Sequence, residues 1–180
     1  MEHIPREVAW LVSIVLIEAA VIDGRQLRVP NWLTYHFLIA GLAFAYWKGG
    51  SGLLLWSLAG ALVGLVSLLP VYSIGGMGAG DVKLMAGLGA WIGPWFTFWA
   101  FVSSTLTGSL LALAMMLYSG ELYEHLALTH IIGREVLTVR NPVALSERAA
   151  QRKPTMLLLP YAIPIALGSI AYFAWSGSLG

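Results

Sequence analysis

The sequence predicts an all-α integral membrane protein, and three observations carry that reading. Hydrophobic residues make up 58% of the 180 residues and charged ones 11%, with a mean hydropathy of +0.78, a balance far from that of soluble domains. The apolar residues fall into runs close to membrane length, separated by short polar segments. The ten Lys and Arg residues are spread unevenly over those segments, as membrane orientation requires. About six transmembrane helices follow, in a single domain over 1–180 with the N- and C-termini outside.

The first run, 8–22, resembles a signal peptide in length, with Glu18-Ala19-Ala20 loosely like a cleavage site. Charge argues for a retained helix, because Glu2, Arg6 and Glu7 precede it without a positive excess while Arg25 and Arg28 follow it. Glu18, inside this run, is expected to turn into the bundle and find a hydrogen bond there. The second run, 32–47, is announced by Pro30 and by Asn31 as N-cap, with Trp32 at the interface. Both runs sit near the lower limit of about 17 residues for a span. The third run is 53–73, the fifth 95–118 and the sixth 155–175. The fourth, 82–93, would make only about 18 Å of helix against a hydrocarbon core of about 30 Å. Either its helix continues through Pro94 or the glycine-rich segment before it dips inward and forms a recess, which is the reading we favour. Trp91, Trp95 and Trp99 read as an aromatic belt, and Gly60, Gly64, Gly87 and Gly108 as close helix contacts.

On this topology the inner loops hold Arg25, Arg28, Lys83, Arg134, Arg140, Arg148, Arg152 and Lys153, against Arg6 and Lys48 outside. Residues 119–154 form a cytoplasmic loop, part of which reads as an amphipathic helix on the inner leaflet. It reads either as a plain connector or as a substrate guide. A net charge of +1 and basic residues scattered between apolar runs give no case for nucleic-acid binding. The chain has no cysteine, which excludes thiolate metal sites and a cysteine nucleophile, and its four histidines lack metal-ligand spacing. No metal or organic cofactor is called for, and membrane lipid is the expected surrounding.

Only two aspartates occur, Asp23 and Asp81, each where an apolar run meets a polar segment. Asp23 closes the first helix on the inner side, and two crossings later Asp81 opens the fourth, so both are expected on one face. Carboxylates at such depth are functional candidates, and two brought close together make an acid-base pair. Asp81 ends the stretch Gly75-Gly76-Met77-Gly78-Ala79-Gly80, whose four glycines are expected to stay out of helix and let another backbone, such as an extended peptide, approach closely. Lys83 reads either as a modulator of Asp81 or as an interfacial anchor, and Arg25 and Arg28 as headgroup anchors.

Asp23 followed by Arg25-Gln26-Leu27-Arg28-Val29-Pro30-Asn31-Trp32-Leu33-Thr34, together with Gly78-Ala79-Gly80-Asp81-Val82-Lys83-Leu84, resembles the type IV prepilin peptidase family of membrane aspartic proteases. The second segment matches that family's Gly-x-Gly-Asp motif, and Pro160-Tyr161-Ala162-Ile163-Pro164 is loosely similar to its last helix. The resemblance implies Asp23 and Asp81 as catalytic residues, with Gly78, Gly80 and Lys83 in the active-site loop. It also implies an enzyme of the prokaryotic inner membrane that removes the short basic leader of a prepilin or pilin-like protein after a glycine. The paired-cysteine cytoplasmic domain of bifunctional members has no counterpart in this cysteine-free sequence, which is similar to the short peptidase-only branch. From the residues alone, an ion- or proton-coupled transporter using the same carboxylates is the alternative. An inactive secretion subunit and a protease similar to signal peptide peptidase rank below.

Overall fold

The computed structural model describes residues 4–73, 76–119 and 160–180, and all regular structure among these residues is helical. The cytoplasmic loop expected at 119–154 lies, apart from Ser119, outside the described residues. Four helices are present among the described residues: α1 (Arg6–Gln26), α2 (Asn31–Ser73), α3 (Ala79–Ser119) and α4 (Ala162–Trp175). Two of them are bent at glycines. In α2, Gly49 and Gly50 leave the helical region, Gly50 at φ +62°, and separate limbs 31–48 and 51–73. In α3, Gly93 at φ +78° precedes Pro94 and separates limbs 79–92 and 94–119. A residue with a Cβ is disfavoured at such φ, and proline removes the donor that would continue the ladder, so the chain turns there. The fourth apolar run therefore ends at Gly93 and does not continue through Pro94 as helix.

Contacts fix the direction of each limb. Asn31, Phe37 and Gly41 meet Lys83, Gly87 and Trp91, so limb 31–48 runs parallel to limb 79–92. Gly60 meets Gly89 and Gly64 meets Met85, so limb 51–73 runs antiparallel to it. Phe96 meets Tyr172 and Gly108 meets Pro164, placing limb 94–119 antiparallel to α4. Asp23 meets Ala162 while Arg6 donates to the carbonyl of Gly180, so α1 is antiparallel to α4. The helical limbs thus share two ends, and the described first and last residues lie at the end away from Asp23.

Small residues permit the tight crossings. A Cβ at Gly60 would stand 2.1 Å from the Gly89 carbonyl oxygen, and one at Gly64 would stand 2.2 Å from that of Met85. Trp91 departs from the expected aromatic belt: its indole N–H donates to the Phe37 carbonyl at 2.9 Å, and its ring packs on Phe37 and Phe44. Trp95 and Trp99 are exposed. The outer surface carries Ile14, Ile39, Leu62, Leu106 and Leu110 exposed, the pattern of a bundle whose solvent is hydrocarbon. α2 and α3 are long and apolar enough to cross a membrane.

Candidate active site

The buried face of α1 runs Val12, Leu16, Ala19, Asp23, steps of four, three and four that keep one stripe of a 3.6-residue helix inward. Asp23 is therefore carried into the bundle by the same stripe as the core residues, and is 3% exposed. Glu18 is off that stripe and exposed, contrary to the expectation that it turns inward. Five residues place it about 140° from Asp23, facing the opposite way. Just beyond Asp23, Leu27 adopts a left-handed conformation at φ 50° and donates its N–H to the Asp23 carbonyl at 2.7 Å, closing the helix. Pro30 then leads into α2.

Asp81 arrives from the other side. α3 starts at Ala79, so Gly80 is helical and Asp81 lies in the first turn, earlier than the glycine content led us to expect. Its Oδ2 accepts the Gly78 N–H at 3.1 Å, while its own N–H donates to the Gly78 carbonyl at 3.3 Å. The carboxylate reaching back to the Gly78 N–H is the N3 half of a capping box, and it is also favoured by the positive end of the helix dipole. The close backbone approach that glycine allows here is used by the chain itself. A Cβ at Gly80 would sit 2.8 Å from the Val29 carbonyl oxygen, so Gly80 lets the α1–α2 link lie against the start of α3.

Both carboxyl groups line one cavity of about 420 Å3, together with Leu27 to Val29, Asn31, Met77 to Gly80, Lys83 and Tyr161. The recess is glycine-lined as expected, and Asp23 is as deeply buried as Asp81 at 6% exposure. Asp23 Oδ2 accepts the Ala162 backbone N–H at 3.0 Å, across 139 positions of sequence. That donor belongs to the first turn of α4, so each aspartate accepts an N–H at a helix N-terminus. Asp23 lies just past the apolar run 8–22; burial pushes its carboxyl up, and the Ala162 N–H pulls it partly back. Tyr161 lies within electrostatic reach of Asp81.

Lys83 is held on the cavity wall. Its ammonium donates to Asn31 Oδ1 at 2.9 Å and stands 4.9 Å from the centre of the Tyr35 ring. It therefore ties the starts of α2 and α3 together, and the Asn31 side chain is engaged with it. Tyr161 on the cavity wall and Ala162, the donor to Asp23, escaped individual assignment in the sequence. Their one signal was the pair of prolines, Pro160 and Pro164, flanking a polar side chain in an apolar run.

Gly80→Ala is expected to slow any chemistry at this cavity by about 10- to 100-fold, since the Val29 backbone must shift and the aspartates with it. Turnover measured beside the unaltered chain checks this, and unchanged turnover contradicts it.

The sequence pattern of the type IV leader peptidase family matches residues 10–113. A prepilin leader peptidase/N-methyltransferase of Aeromonas hydrophila is 33% identical over 116 residues, covering 61% of this chain and 40% of that protein. One from Dichelobacter nodosus is 34% identical over 120 residues, covering 63% and 42%. An Escherichia coli type 4 prepilin-like proteins leader peptide-processing enzyme is 35% identical over 101 residues, covering 49% and 37%. The chain spans about two fifths of the length of these relatives. No solved structure matches it significantly. The family match covers more than half of the chain and includes both cavity aspartates, and this protein belongs to the type IV leader peptidase family.

Proposed function

We propose that this protein is a membrane aspartic endopeptidase that removes the short N-terminal leader of a type IV prepilin or pilin-like substrate at the cytoplasmic membrane face. The observation that carries this reading is the shared cavity, into which two separate helices bring the only two aspartates of the chain. Six spans, a multi-pass position in the inner membrane of a prokaryote, termini outside and a single peptidase domain with a cytoplasmic loop at 119–154 belong to the same proposal. Family membership and the names of the relatives support it.

The chemistry follows from two carboxyl groups in one buried site. Once close enough to interact, two such groups do not ionise easily together, and the pair then holds one proton between them near neutral pH. The ionised member takes a proton from a bound water as the water oxygen bonds to the scissile carbonyl carbon. The protonated member donates to the oxygen on which negative charge develops. Collapse of that intermediate breaks the C–N bond, and the leaving amine takes up a proton from the pair. The backbone N–H groups of Gly78 and Ala162 hold the two carboxyls in place throughout.

Reconstitution with a panel of prepilins tests the reading. A new N-terminus immediately after a glycine is expected for at least one substrate. Vesicles that cleave none but move protons or ions across the membrane would overturn it. Because burial raises the Asp23 carboxyl, the pair keeps its proton to higher pH than exposed aspartates do. The alkaline limb of the kcat/KM profile is accordingly expected above the usual carboxylate range, and a limb within that range contradicts the assignment.

A further inference from the structure

On the outer surface, α1 and α4 enclose an open groove with about 440 Å3 of space. Ala20 and Gly24 from α1 and Ala166 from α4 line it with little or no side-chain bulk. Ile17, Val21 and Leu167 are about half exposed along it, at 51, 49 and 50%. Small residues flanked by branched apolar ones admit another helix at close range.

Two further observations say what occupies it. The groove ends beside the residues that hold Asp23: Gly24 and Ile163, at its end, directly follow Asp23 and Ala162, whose hydrogen bond holds Asp23 at the cavity. In addition, Glu18 is exposed three residues from Val21, on the face where those two residues are neighbours. Glu18 lies about 7.5 Å further along α1 than Asp23, away from the polar end. Acyl chains offer a carboxylate no hydrogen bond, whereas a helix with a donating side chain does.

Resting on the peptidase reading, we propose that the α1–α4 groove seats the membrane helix of the cleaved protein. The end of that helix unwinds past Gly24 and Ile163 to deliver the scissile bond to the aspartates. A hydrogen-bond-donating side chain on the same helix reaches Glu18.

The test compares two substrates on the reconstituted full chain: an intact prepilin, and a soluble peptide spanning the leader junction without the membrane helix. Ala20→Phe, which fills the groove, and Glu18→Leu are each expected to raise KM for intact prepilin by about tenfold, the equivalent of one lost contact. Cleavage of the peptide stays within about twofold, a change worth well under one such contact. Glu18→Gln, which still accepts a hydrogen bond, is expected to retain the native KM. Equal effects on both substrates, or none on either, overturn the proposal.

A photoreactive side chain at position 167, placed in Asp81→Asn so that substrate persists, gives an independent readout. Adducts with prepilin are expected from 167 and not from the exposed position 62 on α2. Adducts between two copies of the enzyme from 167, or equal prepilin yields from 62, overturn the groove assignment. If the unaltered chain cuts neither substrate, the peptidase reading falls, while the crosslink still decides whether the groove holds the helix.

Discussion

Asp81→Asn and Asp23→Asn are each expected to reduce leader cleavage by about a thousandfold, within the range for removing a positioned acid-base group. Asparagine separates chemistry from architecture at both positions. Its side-chain carbonyl still accepts the N–H of Gly78 at position 81 and of Ala162 at position 23, so the helix starts stay pinned. Neither asparagine takes a proton from water or returns one to the leaving amine. Cleavage assays beside thermal unfolding in detergent check both halves: lost cleavage with near-native stability is expected. A variant that unfolds instead would show that the carboxylate is structural.

The second large effect concerns the scaffold. Gly60→Val is expected to destabilise the protein by about 3 kcal/mol, the upper part of the range for overpacking a tight contact. The new Cβ would meet the Gly89 carbonyl oxygen at 2.1 Å and the Gly93 Cα at 2.8 Å, both backbone atoms that no side-chain rotation relieves. Limb 51–73 must then move away from limb 79–92, whose first turn carries Asp81, so cleavage falls as well. Gly52→Ala is the matched control, because a Cβ there meets nothing within 4 Å. Unfolding midpoints that agree for the two variants would contradict the account of this crossing.

The apolar runs made the helical limbs legible because hydropathy and glycine-proline breaks are local properties. Gly49, Gly50, Gly93 and Pro94 mark the bends in the sequence itself. Asp23 and Asp81 were legible as candidates because carboxylates are rare and costly at such positions. Glu18 was misjudged where the inward stripe through Val12, Leu16 and Ala19 already excluded it. Trp91 was misjudged because an interfacial tryptophan and one packed on Phe37 look alike in sequence. At Gly80 the close approach was legible, but not that the approaching backbone is Val29, from the link between α1 and α2. The Ala162 N–H on Asp23 was beyond sequence reasoning altogether, since any residue but proline supplies that donor and only the packing of α4 on α1 aims it.

The central claim is that Asp23 and Asp81 work as one catalytic unit in a shared cavity. Cleavage rates of Asp23→Asn, Asp81→Asn and the double variant on one prepilin test it most directly, because residues acting as a unit lose activity non-additively. Each single variant is expected to lose nearly all cleavage and the double variant to lose little more. A single variant that cleaves at the native rate, or a double variant whose loss is the product of the two single losses, would contradict it.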